Sequence, residues 1–239
     1  MGEQGNIMSI NLLRFISYVL MCALSGASFM AKAEQGDWLV RLRGIAVMPQ
    51  DDSGLISLNG APLPGSGVAV DDSVVPEIDV TYMFHRHWGI EVIAGTSPHN
   101  VEVEGSALAG VGVTDGFEIF DSWVLPPTVT LQYHFFPENK IRPYVGVGVN
   151  YTAFLGNNAT DALEAAVGPV DVDMDNSWGW AAQGGVDITV KDNWFINLDL
   201  KYIDMDSTAT LFLKNLGARL SVDVDIDPIV FGAGIGYRF

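Results

Sequence analysis

Nine charged side chains stand singly inside segments whose alternate residues are apolar: Arg41, Arg43, Glu77, Asp79, Glu91, Asp187, Asp199, Lys201 and Arg238. Charges of both signs taken out of water are tolerable only when each meets a partner of opposite sign, so this set reads as a paired network that plugs an interior and fixes register. An ion pathway is the competing reading of the same residues. Asp171, Asp173 and Asp175 alternate, as do Asp223, Asp225 and Asp227. Such rows either bind divalent cations that bridge lipopolysaccharide or are solvated strand extensions; the second is preferred, because calcium sites converge six or more oxygens from a tight loop. His85, His87, His99 and His134 show no i, i+4 pairing and no metal-ligand spacing. No Ser-His or carboxylate-His set follows from spacing. No catalytic centre, metal or cofactor is therefore expected, and the chain reads as something other than an enzyme.

The balance of 29 acidic against 12 basic residues makes nucleic acid a poor partner. Mean hydropathy is nevertheless positive, an apolar surplus that needs an apolar solvent or a very large core. The start of the chain differs from the rest. Arg14 precedes an apolar run over residues 15–30, and Ala31-Lys32-Ala33 offers the small-x-small pattern of a secretory cleavage site. Residues 1–33 are expected to be a cleaved signal peptide, with Met8 an alternative start, and residues 34–239 the mature domain. The apolar run is shorter than the ~20 residues of a spanning helix. Cys22, the one cysteine, lies in this segment, and Leu20-Met21 before it does not fit a lipoprotein box. The mature part has no cysteine for a disulfide or a thiolate-held metal. No later stretch offers 18 consecutive apolar residues, which excludes helical spans.

Eight segments alternate with a period of two, the signature of strands with lipid on one face and a polar lumen on the other. In the first, Trp38, Val40, Leu42, Ala46 and Met48 oppose Arg41 and Arg43; in the last, Ile229, Phe231, Ala233, Ile235, Tyr237 and Phe239 are backed by Gly232, Gly234, Gly236 and Arg238. A soluble sandwich also alternates. Trp38, Trp88, Trp194, Tyr151, Tyr202 and Tyr237, however, fall at or near the ends of the apolar faces, where an interfacial girdle would put them. The intervals near residues 85–87, 137–140 and 191–193 are short, and those near 49–72, 96–123, 156–176 and 206–227 are long. The expected fold is all-β: an eight-stranded antiparallel transmembrane β-barrel with short periplasmic turns and long extracellular loops. An even strand count closes the sheet and leaves no edge for lipid to solvate. Tyr237 and the terminal Phe239 give the alternating aromatic end read by the outer-membrane assembly machinery, which with the bilayer and its lipopolysaccharide completes the expected partners.

Several stretches resemble the outer-membrane protein W (OmpW) family. They are Leu125-Pro-Pro-Thr-Val-Thr-Leu-Gln-Tyr, Arg142-Pro-Tyr-Val-Gly-Val-Gly-Val-Asn-Tyr-Thr, Asp175-Asn-Ser-Trp-Gly-Trp-Ala-Ala-Gln-Gly-Gly-Val-Asp, Tyr202-Ile-Asp-Met-Asp and Asp227-Pro-Ile-Val-Phe-Gly-Ala-Gly-Ile-Gly-Tyr-Arg-Phe. The resemblance implies a narrow outer-membrane barrel that passively admits small hydrophobic molecules and releases them sideways into the membrane. An eight-stranded barrel is wide enough only for its own side chains, so an open aqueous pore is not available. Pro98, Pro126 and Pro127 lack the N–H of a ladder and would weaken the wall at one place, in agreement with a lateral opening. Leu55, Ile56, Leu58, Trp123, Phe154, Leu155, Leu211 and Phe212 either line a dry entrance for small apolar solutes or form clusters that hold long connections together. A structural or recognition barrel, whose acidic loops bind lipopolysaccharide or external proteins, is the alternative function.

Overall fold

The computed structural model describes residues 35–239. The expected signal peptide and Cys22 lie outside the described residues. The eight expected strands are β1 (Trp38–Met48), β2 (Ser73–His85), β3 (Trp88–Gly95), β4 (Thr128–His134), β5 (Ile141–Ala159), β6 (Ser177–Lys191), β7 (Trp194–Ile203) and β8 (Ile229–Arg238). Each pairs antiparallel with its neighbours; β1 zips to β8 from Leu39↔Arg238 to Met48↔Ile229, and the β4–β5 ladder completes the ring. No barrel edge is left over at membrane level, as a hydrocarbon solvent demands.

Period-two alternation settles what faces where. Leu42, Val147, Leu200 and Ile235, each more than half exposed, point out of the ring. Arg41, Asp79, Glu91 and Asp187 point in and are fully buried. Aromatic pairs mark two levels. Trp38–Tyr82, Trp194–Tyr237 and Trp88–Tyr133 contact one another beside the short turns, with centroids 4.8 to 5.0 Å apart, while Tyr151–Trp178 and Trp180–Tyr202 lie at the far ends of their strands. Trp194 and Tyr202 bound one outward face of β7; at ~3.4 Å per residue they stand about 27 Å apart along the strand, or about 20 Å along the normal after a tilt near 40°. That spacing suits the apolar band of an outer-membrane barrel.

The last strand is glycine-rich because β1 needs the room. Arg41 and Arg43 lie opposite Gly236 and Gly234 in the ladder. A methyl at Gly236 would collide with the Phe195 ring, and one at Gly234 with the backbone of Leu42 and Arg43.

The long connections are not loose loops. Residues 96–125 fold into a hairpin of Ser97–Gly105 and Phe117–Leu125, which pairs on one side with the outer end of β5 and on the other with Ser66–Val70. A second sheet joins Val170–Met174, Asp206–Leu213 and Ala218–Asp225 to the short strands Ser57–Leu58, Ala61–Pro62 and Asp52–Ser53. An α-helix, α1 (Asp161–Val167), bridges them; Thr160 Oγ1 caps it by accepting from Leu163 N at 3.2 Å. Above the upper aromatics the parity inverts. Val101, Val103, Val222 and Val224 are now buried, and Glu104, Asp171, Asp173, Asp223 and Asp225 are exposed. Asp171, Asp173, Asp223 and Asp225 are strand extensions on the outside of this roof, whereas Asp175 and Asp227 lie just past the strand ends and Asp227 is half-buried, accepting from Tyr202 Oη at 2.7 Å.

Leu198 faces outward near the middle of β7, whereas Leu216 is exposed at the hairpin tip between the roof strands. Leu198→Arg is expected to cost about 2–4 kcal/mol in phospholipid vesicles and Leu216→Arg close to nothing. Urea unfolding midpoints read the difference; equal effects would place the apolar stripe elsewhere than in lipid.

Candidate functional site

The lumen holds one continuous polar network. Arg41 donates from Nη1 to Asp79 Oδ1 at 2.8 Å, Thr81 Oγ1 at 2.8 Å and Glu91 Oε1 at 3.2 Å, and grips Asp187 with Nε and Nη2 at 3.2 and 3.1 Å. Arg43 places Nη2 2.8 Å from Glu77 and 2.9 Å from Asp79, and Nη1 3.4 Å from Asp199. Lys201 Nζ reaches Glu77 at 3.1 Å. Eight of the nine expected plug residues meet in this way. The ninth, Arg238, stands at the periplasmic end, 3.9 Å from Asp37.

Neutral side chains complete the network. Tyr144 Oη donates to Asp199 at 2.7 Å, Asn197 Nδ2 to Asp187 at 2.9 Å, and Gln183 Nε2 to Glu91 at 2.6 Å. Arg142 lies 4.0 Å from Asp187. None of the four is among the expected plug residues, although each occupies an inward position; parity marks the three neutral ones, and Arg142 is a charge on that parity that the expected nine leave out. Below the plug, Leu39, Met83 and Phe195 form a small apolar seal.

Above the plug the interior is apolar. Glu77 and Lys201 form the floor of an inner cavity walled by Val47, Ile93, Val124, Phe154, Ile203 and Val230. Within the roof lies an outer cavity lined by Ile56, Leu58, Val68, Val103, Leu163 and Leu211 among other apolar groups. Of the expected entrance residues, Ile56, Leu58 and Leu211 therefore line the outer cavity and Phe154 the inner one. Leu55, Trp123, Leu155 and Phe212 project outward and are exposed.

Beside the inner cavity the wall is interrupted. The β3–β4 ladder stops at Ile93↔Thr128 and resumes in the same register at Ser97↔Val124, leaving residues 94–96 and 125–127 unpaired across this seam. On the other side of β4 the ladder continues, with Tyr151 N donating to Pro127 O at 3.1 Å. Pro126 has no N–H for β3. Its carbonyl is taken instead by Thr128 Oγ1 at 3.0 Å and Asn150 Nδ2 at 3.2 Å. Pro98 lies just beyond the unpaired stretch, opposite Trp123 in the resumed ladder. The β2–β3 ladder likewise ends at Glu77↔Gly95, next to Pro76, a proline that is not among the three expected at the opening. Thr96 is exposed on the outside and also borders the cavity, as do Gly95, Ser97 and Pro126.

His99 closes the upper edge of this gap. Its Nδ1 lies 2.7 Å from the Asp71 carbonyl, which fixes the proton there, so Nε2 accepts from Ser97 Oγ at 2.9 Å. Burial lowers the His99 pKa from the ordinary histidine value, against the opposing pull of Asp71 and Asp72, and keeps the ring neutral. Among the described residues no three His, Cys, Asp or Glu side chains converge as a metal site. At the seam of first and last strands, Phe239 N donates to Trp38 O at 2.9 Å, and Tyr237 packs on Trp194 and Phe239.

The chain matches the OmpW family over residues 34–239. It is 38% identical over 202 residues to an uncharacterized outer-membrane protein of Sinorhizobium fredii, covering 84% of this chain and 80% of that one. It is 35% identical over 222 residues to outer membrane protein W of Vibrio cholerae, covering 92% and 96%. The crystal structure of the outer membrane protein OprG from Pseudomonas aeruginosa superposes with a TM-score of 0.79 at 33% identity, covering 87% of this chain and 98% of that one.

Arg41→Met would strand Asp79, Glu91 and Asp187 without their shared cation. The expected loss is about 3–5 kcal/mol of folding stability, read from unfolding midpoints in vesicles. A wild-type midpoint would show that the network does not hold the barrel.

Proposed function

The chain belongs to the OmpW family and is an integral β-barrel of the outer membrane; on that premise we propose that it is a channel that passively admits small hydrophobic molecules and releases them laterally into the membrane. The observation that carries this reading is the stacking of two apolar cavities over a charged plug, with the inner cavity abutting an unpaired seam of the wall. A solute entering the roof trades water for aliphatic side chains, a gain of ~0.8 kcal/mol per methylene. Moving onward into hydrocarbon adds little, so passage is driven by the solute's own gradient. The way down the axis is closed, because Arg43, Lys201 and Glu77 would have to give up their partners to an apolar guest. The way sideways crosses no backbone ladder. Pro127 stands at the level of the upper aromatic Tyr151, so the seam meets the bilayer near its outer boundary.

A channel of this kind needs no reaction. Ser97 and His99 are hydrogen-bonded on the cavity wall, but the third partner is the Asp71 carbonyl rather than a carboxylate. The pair accordingly serves to fasten the edge of the seam. Purified protein is expected to leave short- and medium-chain p-nitrophenyl esters at the uncatalysed rate; turnover abolished by Ser97→Ala would overturn the non-catalytic assignment.

Transport is tested by restoring the ladder. Pro126→Val combined with Pro127→Thr, Thr128→Val and Asn150→Val supplies the missing N–H and frees the Pro126-site carbonyl for β3. Uptake of an apolar fluorophore by cells whose own OmpW-type barrel is deleted should fall several-fold, and Val124→Trp, which fills the inner cavity from its wall, should act alike. Both variants should keep the heat-modifiable gel mobility of a folded barrel. Unchanged uptake in both would end the lateral-release reading.

A further inference from the structure

The two cavities differ in one chemical respect. The outer one has Ser221 as its single polar lining residue. The inner one carries several polar groups, with Glu77 and Lys201 in the floor and Thr96, Ser97, His99, Ser122 and Thr128 toward the seam. Most of these are spoken for: Ser97 Oγ donates to His99, Ser122 Oγ to Asn157 Oδ1 at 2.7 Å, and Thr128 Oγ1 to the Pro126 carbonyl. Lys201 is different. Its ammonium has three protons to give, and its side-chain partner is one carboxylate, met at 3.1 and 3.3 Å. That carboxylate is held more closely by Arg43, at 2.8 Å. Lys201 is buried and borders the cavity, so donor capacity is directed at whatever fills the space.

We propose that the floor of the inner cavity is a headgroup subsite, in which Lys201 selects neutral amphiphiles: an aliphatic or aromatic body ending in one hydroxyl or carbonyl oxygen. The proposal rests on the channel reading above and names its substrate class. A hydrocarbon in the cavity leaves the lysine donor facing carbon, the costly half of a hydrogen bond. An oxygen headgroup pointing down accepts that donor while its body lies against Ile93, Val124 and Val230. A carboxylate head is disfavoured. At this end of the plug Arg43 and Lys201 already face Glu77, Asp79 and Asp199, and a further negative charge meets the surplus. Lys201 is thus a specificity residue, not a mover of the solute.

Binding of octane, 1-octanol, 2-octanone and octanoate to the barrel in phosphatidylcholine nanodiscs decides the matter, each normalised to its own partition into empty nanodiscs. The neutral oxygenated pair should bind about tenfold more tightly than octane, the factor of one hydrogen bond to a charged donor, and octanoate should gain no such advantage. In Lys201→Met the preference should vanish, octane and 1-octanol then binding alike. Because that variant leaves Glu77 with one partner fewer, Lys201→Met/Glu77→Gln is run beside it, with heat-modifiable mobility as the folding control. Equal binding of octane and octanol to wild type, a preference that survives both variants, or tighter binding of octanoate would each overturn the subsite. If octane itself does not bind above empty nanodiscs, it is the channel reading that fails.

Discussion

The ion network around Arg41 is the constraint on which the rest depends. An eight-stranded ring cannot hold a water column, so every charge that alternation turns inward must find a partner within reach. Arg41 does so across β2, β3 and β6 at once, and Arg43 across β2 and β7. A slip of one residue in any of these strands would send its acid into lipid. The same pairs that hold the register therefore also fill the lumen across the barrel axis.

Solvent, rather than strand propensity, explains the change of pattern along the molecule. Within the hydrocarbon band apolar residues face out and polar ones face in. Beyond the upper aromatics the outside is water, and valines turn inward while aspartates and glutamates turn outward. The large negative charge of the chain thus sits mainly on the roof, where it is hydrated, and the roof interior is left free to be apolar. Continuous strands such as β5 cross from one regime to the other without a break in hydrogen bonding. The lower polar interior and the upper apolar one are two segments of a single alternation.

That inversion also marks what can be read from the residues alone. The eight membrane strands, their facing and most of the plug are legible, because one-residue alternation with every charge on one parity demands a strand that keeps its other face in an apolar medium. The two acidic rows read as strand extensions, but the stretch around Val101 and Val103 reads as a loop, although these valines alternate with acids just as regularly as Val170 and Val172 or Val222 and Val224. Their apolar faces are short, and several of their partners are distant in the chain. The entrance is legible by half for a related reason. Leu55 and Ile56, Phe154 and Leu155, and Leu211 and Phe212 are neighbours on extended backbone, so one of each pair is buried and the other is exposed. Tracing parity outward from the membrane strands separates them.

The seam is a stable part of this architecture because its polar groups are satisfied without β3. In an antiparallel ladder the N–H and C=O of one residue face the same neighbour. Pro127 gives its carbonyl to Tyr151 and so faces β5; Pro126 consequently faces β3, where it has no N–H to offer. Its carbonyl would still draw β3 in, were it not held by the hydroxyl of Thr128 and the amide of Asn150, both buried. Asn150 also donates to Thr128 Oγ1 at 2.8 Å, which locks the arrangement. Proline alone ends many strands. Here proline with a buried amide keeps a strand in register on one side while detaching it on the other, and the detachment falls beside the cavity that sits directly on the plug.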